Sequence, residues 1–469
     1  MSPFLFSKKR ILMNINAVSP IDSRYNLKII GIKNHFSYIS WYKYRVYVEL
    51  MYFKLLTQLF DNVRINQMCI NKFMDISLDF NENHLNQVLT IEKETLHDIK
   101  AIELFLKEKY NQLKIGEPKY TSLIHFGLTS QDINSVAFSI QFKKSVTGVI
   151  LPELDNLVSS LFFLKSSVKD MPMLALTHGQ PAIPTTLDKE IEVFITRLEY
   201  NMEVLRNVRY RTKFGGAIGK LNAHHFVYPN YDWKKIFNEF ISQFELTRWE
   251  NTTQISNYED IIRVCSLISQ INNTLNDLCV DMWLYISRGI FKLAKETKNQ
   301  VGSSTMPQKV NPIDFENAEG NLAVANSGLQ CLINKLSSSR LQRDLSDSTV
   351  LRNVGVYLSH CVISYKSIMN GISKLEMNKE AINKELESSP EILSEAIQCI
   401  LRSYFIEDAY NIIMELTSNK KFANETEFKN SIISSLKNSP SFKEGNKKEI
   451  LAEICEKIRN LSVYTYIGI

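Results

Sequence analysis

The sequence predicts an all-α fold built from long helices. Three features favour this fold: apolar residues recur at helical spacing over long stretches, glycine and proline are scarce, and alternating strand patterns are nearly absent. The chain has 16 glycines and 12 prolines in 469 residues, roughly half of average usage. Long elements with few turns follow, so many-stranded sandwiches, barrels and low-complexity disorder are disfavoured.

The first half of the chain contains three predicted helices. The first covers Ile91–Lys109. Thr129 and Asp132 have the spacing of a capping box that opens the second helix, and the third follows Pro152. Their apolar faces consist of Ile99, Ile102, Phe105 and Leu106 in the first, Ile133, Val136 and Ile140 in the second, and Leu154, Leu157, Leu161 and Leu164 in the third.

The middle of the chain contains the longest predicted helices, after a short strand candidate at 174–176. Thr185 and Asp188 indicate a cap, and the helix from Thr185 to Arg211 ends before a Gly-Gly pair. A helix over 258–292 would be about 50 Å long. Their apolar seams are Ile191, Ile195, Leu198, Met202 and Leu205, and Val264, Ile268, Ile271, Leu275, Leu278, Met282 and Tyr285. Such lengths favour a bundle that subunits could share.

Turn signals divide the chain into three predicted domains. An N-terminal helical domain covers 1–118, a central long-helix bundle covers 119–371, and a C-terminal helical domain covers 372–469. Residues 1–12 are either an extension without fixed structure or an upstream mis-start before Met13.

The composition excludes several functional classes. A net charge of +5 without a long basic block gives no indication of nucleic-acid binding and suits a small anionic ligand. No apolar run approaches the roughly 20 residues of a membrane span, and the N-terminus lacks the order of a signal peptide. The seven scattered cysteines contain no CxxC, and the eight histidines have no metal-ligand spacing. We therefore expect a reduced, cytoplasmic protein that binds no metal.

Two loop segments could carry chemistry. Residues 302–312 read GSSTMPQKVNP, in which two serines, Lys309 and Asn311 could activate a hydroxyl and bind carboxylate oxygens; a plain surface linker is the alternative. His178 lies between small residues in THGQPA at 177–182. It could be presented there as a general acid or base, or be a loop histidine with a structural hydrogen bond.

Two helical segments carry further polar groups. His97 and Asp98 lie off the buried side of their predicted helix and could face a cleft or solvent. Arg343, Ser348 and Arg352 are five and four residues apart, so Ser348 and Arg352 share a face if a helix begins by Ser348. Two guanidinium groups with hydroxyls make a good phosphate site. A salt-bridged helix surface is the alternative.

Together the four segments resemble the fumarase/aspartase superfamily of lyases and, within it, the bacterial type of the adenylosuccinate lyase family. The loop at 302–312 is similar to the superfamily signature. The family resemblance rests on IDFENAEGN at 313–321, QRDLSDSTVLRN at 342–353, AVSPIDSRY at 17–25 and TTQI at 252–255. It runs from about Met13 to the C-terminus. Gln308 departs from the His that related bacterial sequences often carry, while argininosuccinate lyases also have Gln there.

The resemblance implies three all-α domains whose central bundle assembles into a homotetramer with active sites shared between subunits. It implies β-elimination of fumarate from a C–N bond in two substrates of purine synthesis. Adenylosuccinate would give AMP, and succinylaminoimidazole carboxamide ribotide would give AICAR. It implies no cofactor, no metal, and a small anionic nucleotide as the ligand, without nucleic acid or membrane.

The resemblance also assigns roles to single residues. Ser303 is the base on a loop that closes over the substrate, His178 is the acid that protonates the departing nitrogen, and His97 with Asp98 orients the substrate or shares proton transfer. The substrate-binding residues that it implies are Thr129, Ser130, Gln254, Lys309 and Asn311 for the succinyl group, and Arg24, Tyr25, Arg343, Ser348 and Arg352 for the phosphate and ribose. It also implies Ser304, Asn317 and Thr349 as substrate-binding residues, without naming the part of the substrate that they contact.

Two other interpretations stay open. Argininosuccinate lyase, or another C–N lyase of the superfamily, would share the signature loop. It should lack Arg343 and Arg352 with Ser348, because its substrate has no phosphate. A catalytically silent helical scaffold should tolerate loss of His178 or Ser303, and both residues are present.

Overall fold

The computed structural model describes residues 16–294, 306, 309–418, 420–439, 442 and 447–468. Within these ranges the chain forms nineteen α-helices and three two-stranded sheets. The predicted all-α class is confirmed. The predicted extension at 1–12 lies outside the described residues.

The helices of the first half lie between residues 30 and 242. Their bounds are α1 Ile30–Phe36, α2 Tyr38–Leu59, α3 Gln67–Leu78, α4 Glu82–Thr95, α5 Asp98–Gln112, α6 Ser130–Ser145, α7 Leu151–Ser167, α8 Leu187–Arg206, α9 Asn222–Val227 and α10 Trp233–Ser242.

The second half contains the longest helix and the C-terminal helices. Their bounds are α11 Glu259–Ser287, α12 Ile313–Leu336, α13 Ser346–Leu351, α14 Val354–Ile372, α15 Lys379–Glu387, α16 Ser394–Ser403, α17 Ala409–Thr417, α18 Glu425–Asn438 and α19 Lys447–Asn460.

The sheets are short. The strands are β1 Pro172–Thr177, β2 Gln180–Thr186, β3 Arg211–Thr212, β4 Thr247–Arg248, β5 Phe291–Leu293 and β6 Leu375–Met377. β1 with β2 and β5 with β6 pair antiparallel, and β3 with β4 pairs parallel.

The predicted apolar seams are confirmed on α8 and α11. All twelve residues named for these two helices are buried. The predicted start of α8 is wrong. Thr185 belongs to β2, and its hydroxyl donates to the Glu190 carboxylate at 2.8 Å, so the helix begins at Leu187. α11 ends at Ser287, five residues before the predicted end.

The predicted single helix over Ile91–Lys109 is also wrong, because the chain breaks at Leu96. α4 ends at Thr95, and Leu96 takes a left-handed conformation with φ 52°. His97 then caps α5, since its Nδ1 accepts the N–H of Lys100 at 3.2 Å. The residues predicted to be buried do lie on the core side of α5.

Residues 130–167 form one helical run in which Val146–Ile150 are π-helical. By length and composition alone this run could cross a membrane, a test that the core helix of a globular protein also passes. The run carries Asp132, Gln141 and Ser145, which are buried polar residues. Asp132 forms an ion pair with Lys213 at 2.7 Å. These contacts favour a core helix.

Contacts group the chain into two compact units. Unit 1 contains the described residues of 1–157, 199–276 and 317–367, and its largest core lies among α2, α3, α5, α6 and α10. Unit 2 contains those of 158–198, 277–316 and 368–469, and its core is formed mainly by α15–α19. The three-domain division at 118 and 371 stays a prediction.

Candidate active site

A cavity of about 250 Å³ in unit 1 brings together segments that are far apart in sequence. Its walls come from α2, the junction of α4 and α5, the first turns of α6, residues 256–261 and the region of α13. The predicted site residues that line it are His97, Asp98, Ser130, Arg343, Ser348 and Arg352. The side chains that sequence reasoning drew from three separate segments therefore meet.

The break between α4 and α5 presents His97 to the cavity. Its side chain is 51 % exposed. Because Nδ1 accepts a backbone N–H, the neutral ring carries its proton on Nε2. Nε2–H is thus left to face a ligand.

Asp98 lies between two arginines. Its Oδ2 is 3.5 Å from Arg45 and 3.7 Å from Arg352, and its Oδ1 accepts the N–H of Ile99 at 2.8 Å. This carboxylate holds two cations at the cavity wall.

Arg45 is a cavity residue that the sequence reasoning missed. It is buried, its Nε donates to Oδ1 of Asn134 at 2.7 Å, and its guanidinium lies 4.6 Å from the Trp41 ring centre. Burial lowers the pKa of Arg45 to about 10, while Asp98 opposes this shift. The side chain remains a cation near neutral pH.

Arg343 links two other predicted residues. Its guanidinium donates to Oε1 of Gln254 at 3.2 Å and lies 3.5 Å from Oγ of Ser130. Ser130 begins α6, and Thr129 before it is the N-cap, as the sequence predicted, with its N–H donating to Asp132 at 2.8 Å.

A buried hydrogen bond positions the turn that carries Ser348. The Tyr258 hydroxyl donates to Oδ2 of Asp347 at 2.6 Å, and Oδ1 of Asp347 accepts the N–H of Ser348 at 2.7 Å. Burial raises the pKa of Tyr258 well above its usual value, with Asp347 adding to the shift. Tyr258 therefore stays a neutral donor.

Other predicted residues of unit 1 do not line the cavity. Thr349 and Arg24 are exposed. The Tyr25 hydroxyl accepts from Asn317 at 3.0 Å, and Asn317 accepts from Ser367 at 2.9 Å. Tyr25 and Asn317 thus form a second pair of predicted residues within unit 1.

The remaining predicted residues belong to unit 2 or lie outside the described part. His178 is exposed at the tip of the β1–β2 hairpin with φ 53°. Lys309 is exposed and Asn311 is half-buried before α12. Ser303 and Ser304 lie outside the described residues. No group of three or more His, Cys, Asp or Glu within the described part could hold a metal ion.

Comparison with known proteins decides the family. The family model described as Lyase matches residues 39–325, and the one described as Adenylosuccinate lyase C-terminal matches 339–466. The adenylosuccinate lyase of Dictyostelium discoideum is 43 % identical over 98 % of this chain and 97 % of its own. The chain belongs to the adenylosuccinate lyase family.

Bacterial members of the adenylosuccinate lyase family match as well. That of Legionella pneumophila strain Corby is 42 % identical over 87 % of this chain and 89 % of its own, and that of Buchnera aphidicola from Acyrthosiphon pisum is 39 % identical over 97 % of each. Among solved structures, fumarate lyase from Mesorhizobium sp. BNC1 has a TM-score of 0.70 at 15 % identity, covering 93 % of this chain and 94 % of that one. The comparison with this solved structure shows the fold.

The residues that hold the cavity of this adenylosuccinate lyase family member in place were not predicted from the sequence. Arg45 stands in an apolar stretch of α2, where a charged residue must find a buried partner, and this was the available signal. The sequence predicts Tyr258 only as the start of a helix. No local pattern marked Asn134 or Lys213, because their partners lie 89 and 81 residues away.

Proposed function

We propose that this chain eliminates fumarate from adenylosuccinate to give AMP, and from succinylaminoimidazole carboxamide ribotide to give AICAR. The relatives named adenylosuccinate lyase, 39–43 % identical over nearly the whole chain, support the reaction. The observation that carries the proposal is the convergence of Arg343, Ser348 and Arg352 with His97 and Ser130 on one cavity.

The charges of the cavity suit such a substrate. Its arginines are Arg45, Arg343 and Arg352, and its carboxylates are Glu92 and Asp98. Adenylosuccinate carries a phosphate and two carboxylates, so a cavity with an excess of cations favours it. Argininosuccinate has no phosphate, so it would not use the exposed guanidinium of Arg352 as a phosphate partner.

The elimination needs a base, stabilisation of developing charge and an acid. The base removes the proton beside a carboxylate, the electron pair forms the double bond of fumarate, and the C–N bond breaks. The departing nitrogen keeps its bonding pair and takes a proton. We assign the base to Ser303, the acid to His178, and the orientation of the substrate to His97 with Asp98.

The carboxylates of the succinyl group need donors. Ser130 and Thr129 at the first turn of α6 offer hydroxyls, and the helix N-terminus favours an anion. Gln254 bonds to Arg343 and offers an amide. We assign Lys309 and Asn311 to the same carboxylates, with Ser304 beside Ser303, and we assign Arg24, Tyr25, Asn317 and Thr349 to the surroundings of the nucleotide.

We further propose a cytoplasmic homotetramer with shared active sites. The support is the outer face of α11, where Val280, Trp283 and Leu284 are exposed apolar side chains opposite the buried seam. Exposed apolar groups on a long helix indicate a face that another chain covers.

The test compares two substrates without added metal. Purified protein is incubated with adenylosuccinate or with argininosuccinate, and the products are separated by chromatography. We expect AMP and fumarate from the first and no arginine from the second. Release of arginine instead would assign the chain to another lyase reaction, and no product from either would favour the silent scaffold.

A further inference from the structure

We infer that the buried ion pair of Asp132 and Lys213 positions the substrate-binding groups of the cavity. The inference rests on the proposed function for the identity of the substrate. Both side chains are fully buried, and Nζ of Lys213 donates to Oδ1 of Asp132 at 2.7 Å. Neither residue lines the cavity. They are therefore positioning residues that act through other groups.

One carboxylate connects two segments of backbone. Oδ2 of Asp132 accepts the N–H of Thr129 at 2.8 Å, which fixes the first turn of α6. Oδ1 accepts the N–H groups of Gly215 and Gly216 at 2.7 and 3.1 Å. Lys213 closes the arrangement by donating to the Gly216 carbonyl at 2.6 Å. The hydroxyl site at the start of α6 is thus tied to the loop at 213–219.

The loop at 213–219 continues the connection to the arginine end of the cavity. Nε2 of Gln254 donates to the Ala217 carbonyl at 3.0 Å, and Oε1 of Gln254 accepts from Arg343 at 3.2 Å. Arg343 in turn lies 3.5 Å from Oγ of Ser130, which stands on the first turn of α6. The chain of contacts closes on itself, so a shift of the ion pair displaces both the hydroxyl and the guanidinium.

The choice of variants follows from burial. Removing one member of a buried pair leaves an uncompensated charge and destabilises the fold strongly, whereas replacing both members by neutral groups of similar size leaves no buried charge behind. Burial lowers the pKa of Lys213, and the Asp132 carboxylate opposes this shift. The double variant Asp132→Asn with Lys213→Met is neutral at both positions and separates positioning from loss of stability.

The experiment combines kinetics with hydrogen exchange on the full-length protein. In the double variant we expect the KM for adenylosuccinate to rise about tenfold with kcat within threefold. Amide exchange in peptides covering 127–133 and 213–219 should accelerate at least tenfold. Lys107→Met is the matched control, since it removes a lysine 2.6 Å from Glu103 outside the cavity, and it should change neither quantity.

The outcomes distinguish a positioning role of the ion pair from a purely structural one. Faster exchange with a wild-type KM, or a lower melting temperature alone, would show a purely structural pair and overturn the inference. Unchanged exchange would overturn it as well. If the double variant does not fold, Lys213→Met alone gives the same comparison, because the Asp132 carboxylate keeps its three backbone N–H donors. If the wild-type chain fails to convert adenylosuccinate, the proposed function is wrong, and the affinity of wild type and double variant for AMP, measured by calorimetry, replaces the KM in deciding the positioning role.

Discussion

At the scale of single residues, the cavity is organised by one carboxylate between two arginines that differ in exposure. Arg45 has 4 % of its side chain exposed and is fixed by Asn134 and Trp41. Arg352 has 59 % of its side chain exposed. Arg45 therefore holds Asp98 in place, while Arg352 is available to a ligand.

Arg352→Ala should weaken binding of the phosphate. Loss of hydrogen bonds to a charged group costs roughly 1.5–3 kcal/mol, so the KM for adenylosuccinate should rise about 10- to 100-fold. The affinity for the dephosphorylated analogue is measured beside the KM. This affinity should be the same in the variant as in the wild type. Arg340→Ala, an exposed arginine of the same segment, is the control. Equal weakening of both ligands would contradict the phosphate assignment.

Ser303→Ala and His178→Ala should each abolish turnover, while the mass of the assembly in solution stays that of the wild type. The expected loss of kcat for the acid is about 10²- to 10⁴-fold, with at least as large a loss for the base. kcat is measured beside His225→Ala, which removes an exposed histidine of α9. Near wild-type kcat in either variant would remove that residue from the mechanism.

His224 should make the fold sensitive to acid. His224 is fully buried. The Tyr52 hydroxyl donates to the Phe126 carbonyl and accepts a hydrogen bond from Nε2 of His224 at 2.8 Å. Burial lowers the pKa of His224 to about 4. Between pH 6.5 and 4 the unfolded chain binds a proton that the folded chain does not, so the free energy of unfolding falls by roughly 3 kcal/mol.

The check is urea unfolding of wild type and His224→Gln over this range of pH. The variant keeps a donor for Tyr52 and does not titrate, so its curve should decline less steeply. Parallel curves for the two proteins would show that His224 does not contribute to the acid sensitivity.

At the scale of elements, the sequence predicts the apolar faces of helices well, but it predicts the breaks between helices poorly. Every residue that the spacing names on α11 is buried, because a helix packed lengthwise must repeat its apolar residues. The break at Leu96 escaped prediction, since an exposed leucine in the left-handed region carries none of the usual signal of a helix end. The same break turns His97 toward the cavity.

The candidate site shows the same division. The arginine segment was predicted from its residue types, and its Arg343, Ser348 and Arg352 line the cavity; the two loops stay predictions. Arg45, Tyr258 and Lys213 were not predicted, since each is defined by a partner that only the fold brings near. Residues that position other side chains can therefore be recognised only from the structure.

The β1–β2 hairpin carries His178, to which we assign the acid of the proposed reaction. His178 and Gly179 form its two-residue turn with φ of 53° and 70°, the signs of a type I′ turn. Gly179→Ala should lower the free energy of unfolding by about 1 kcal/mol, because alanine resists positive φ. It should also lower kcat several-fold by displacing His178.

Gly148→Ala provides the matched control. A Cβ there meets no atom within 4 Å, and the backbone is helical, so stability and kcat should be kept. Thermal unfolding and kcat are measured on both variants. Wild-type values for Gly179→Ala would show that the turn does not control His178.

At the scale of the whole molecule, the proposed function is one type of reaction, the elimination of fumarate from a C–N bond. The cavity of unit 1 contains guanidinium groups and hydroxyls that suit an anionic nucleotide, and membership of the adenylosuccinate lyase family supports a C–N elimination. The most direct measurement is the stoichiometry of products when adenylosuccinate is consumed by purified protein. We predict one AMP and one fumarate per substrate. Consumption without fumarate, or no consumption by a folded protein, would contradict the proposed function.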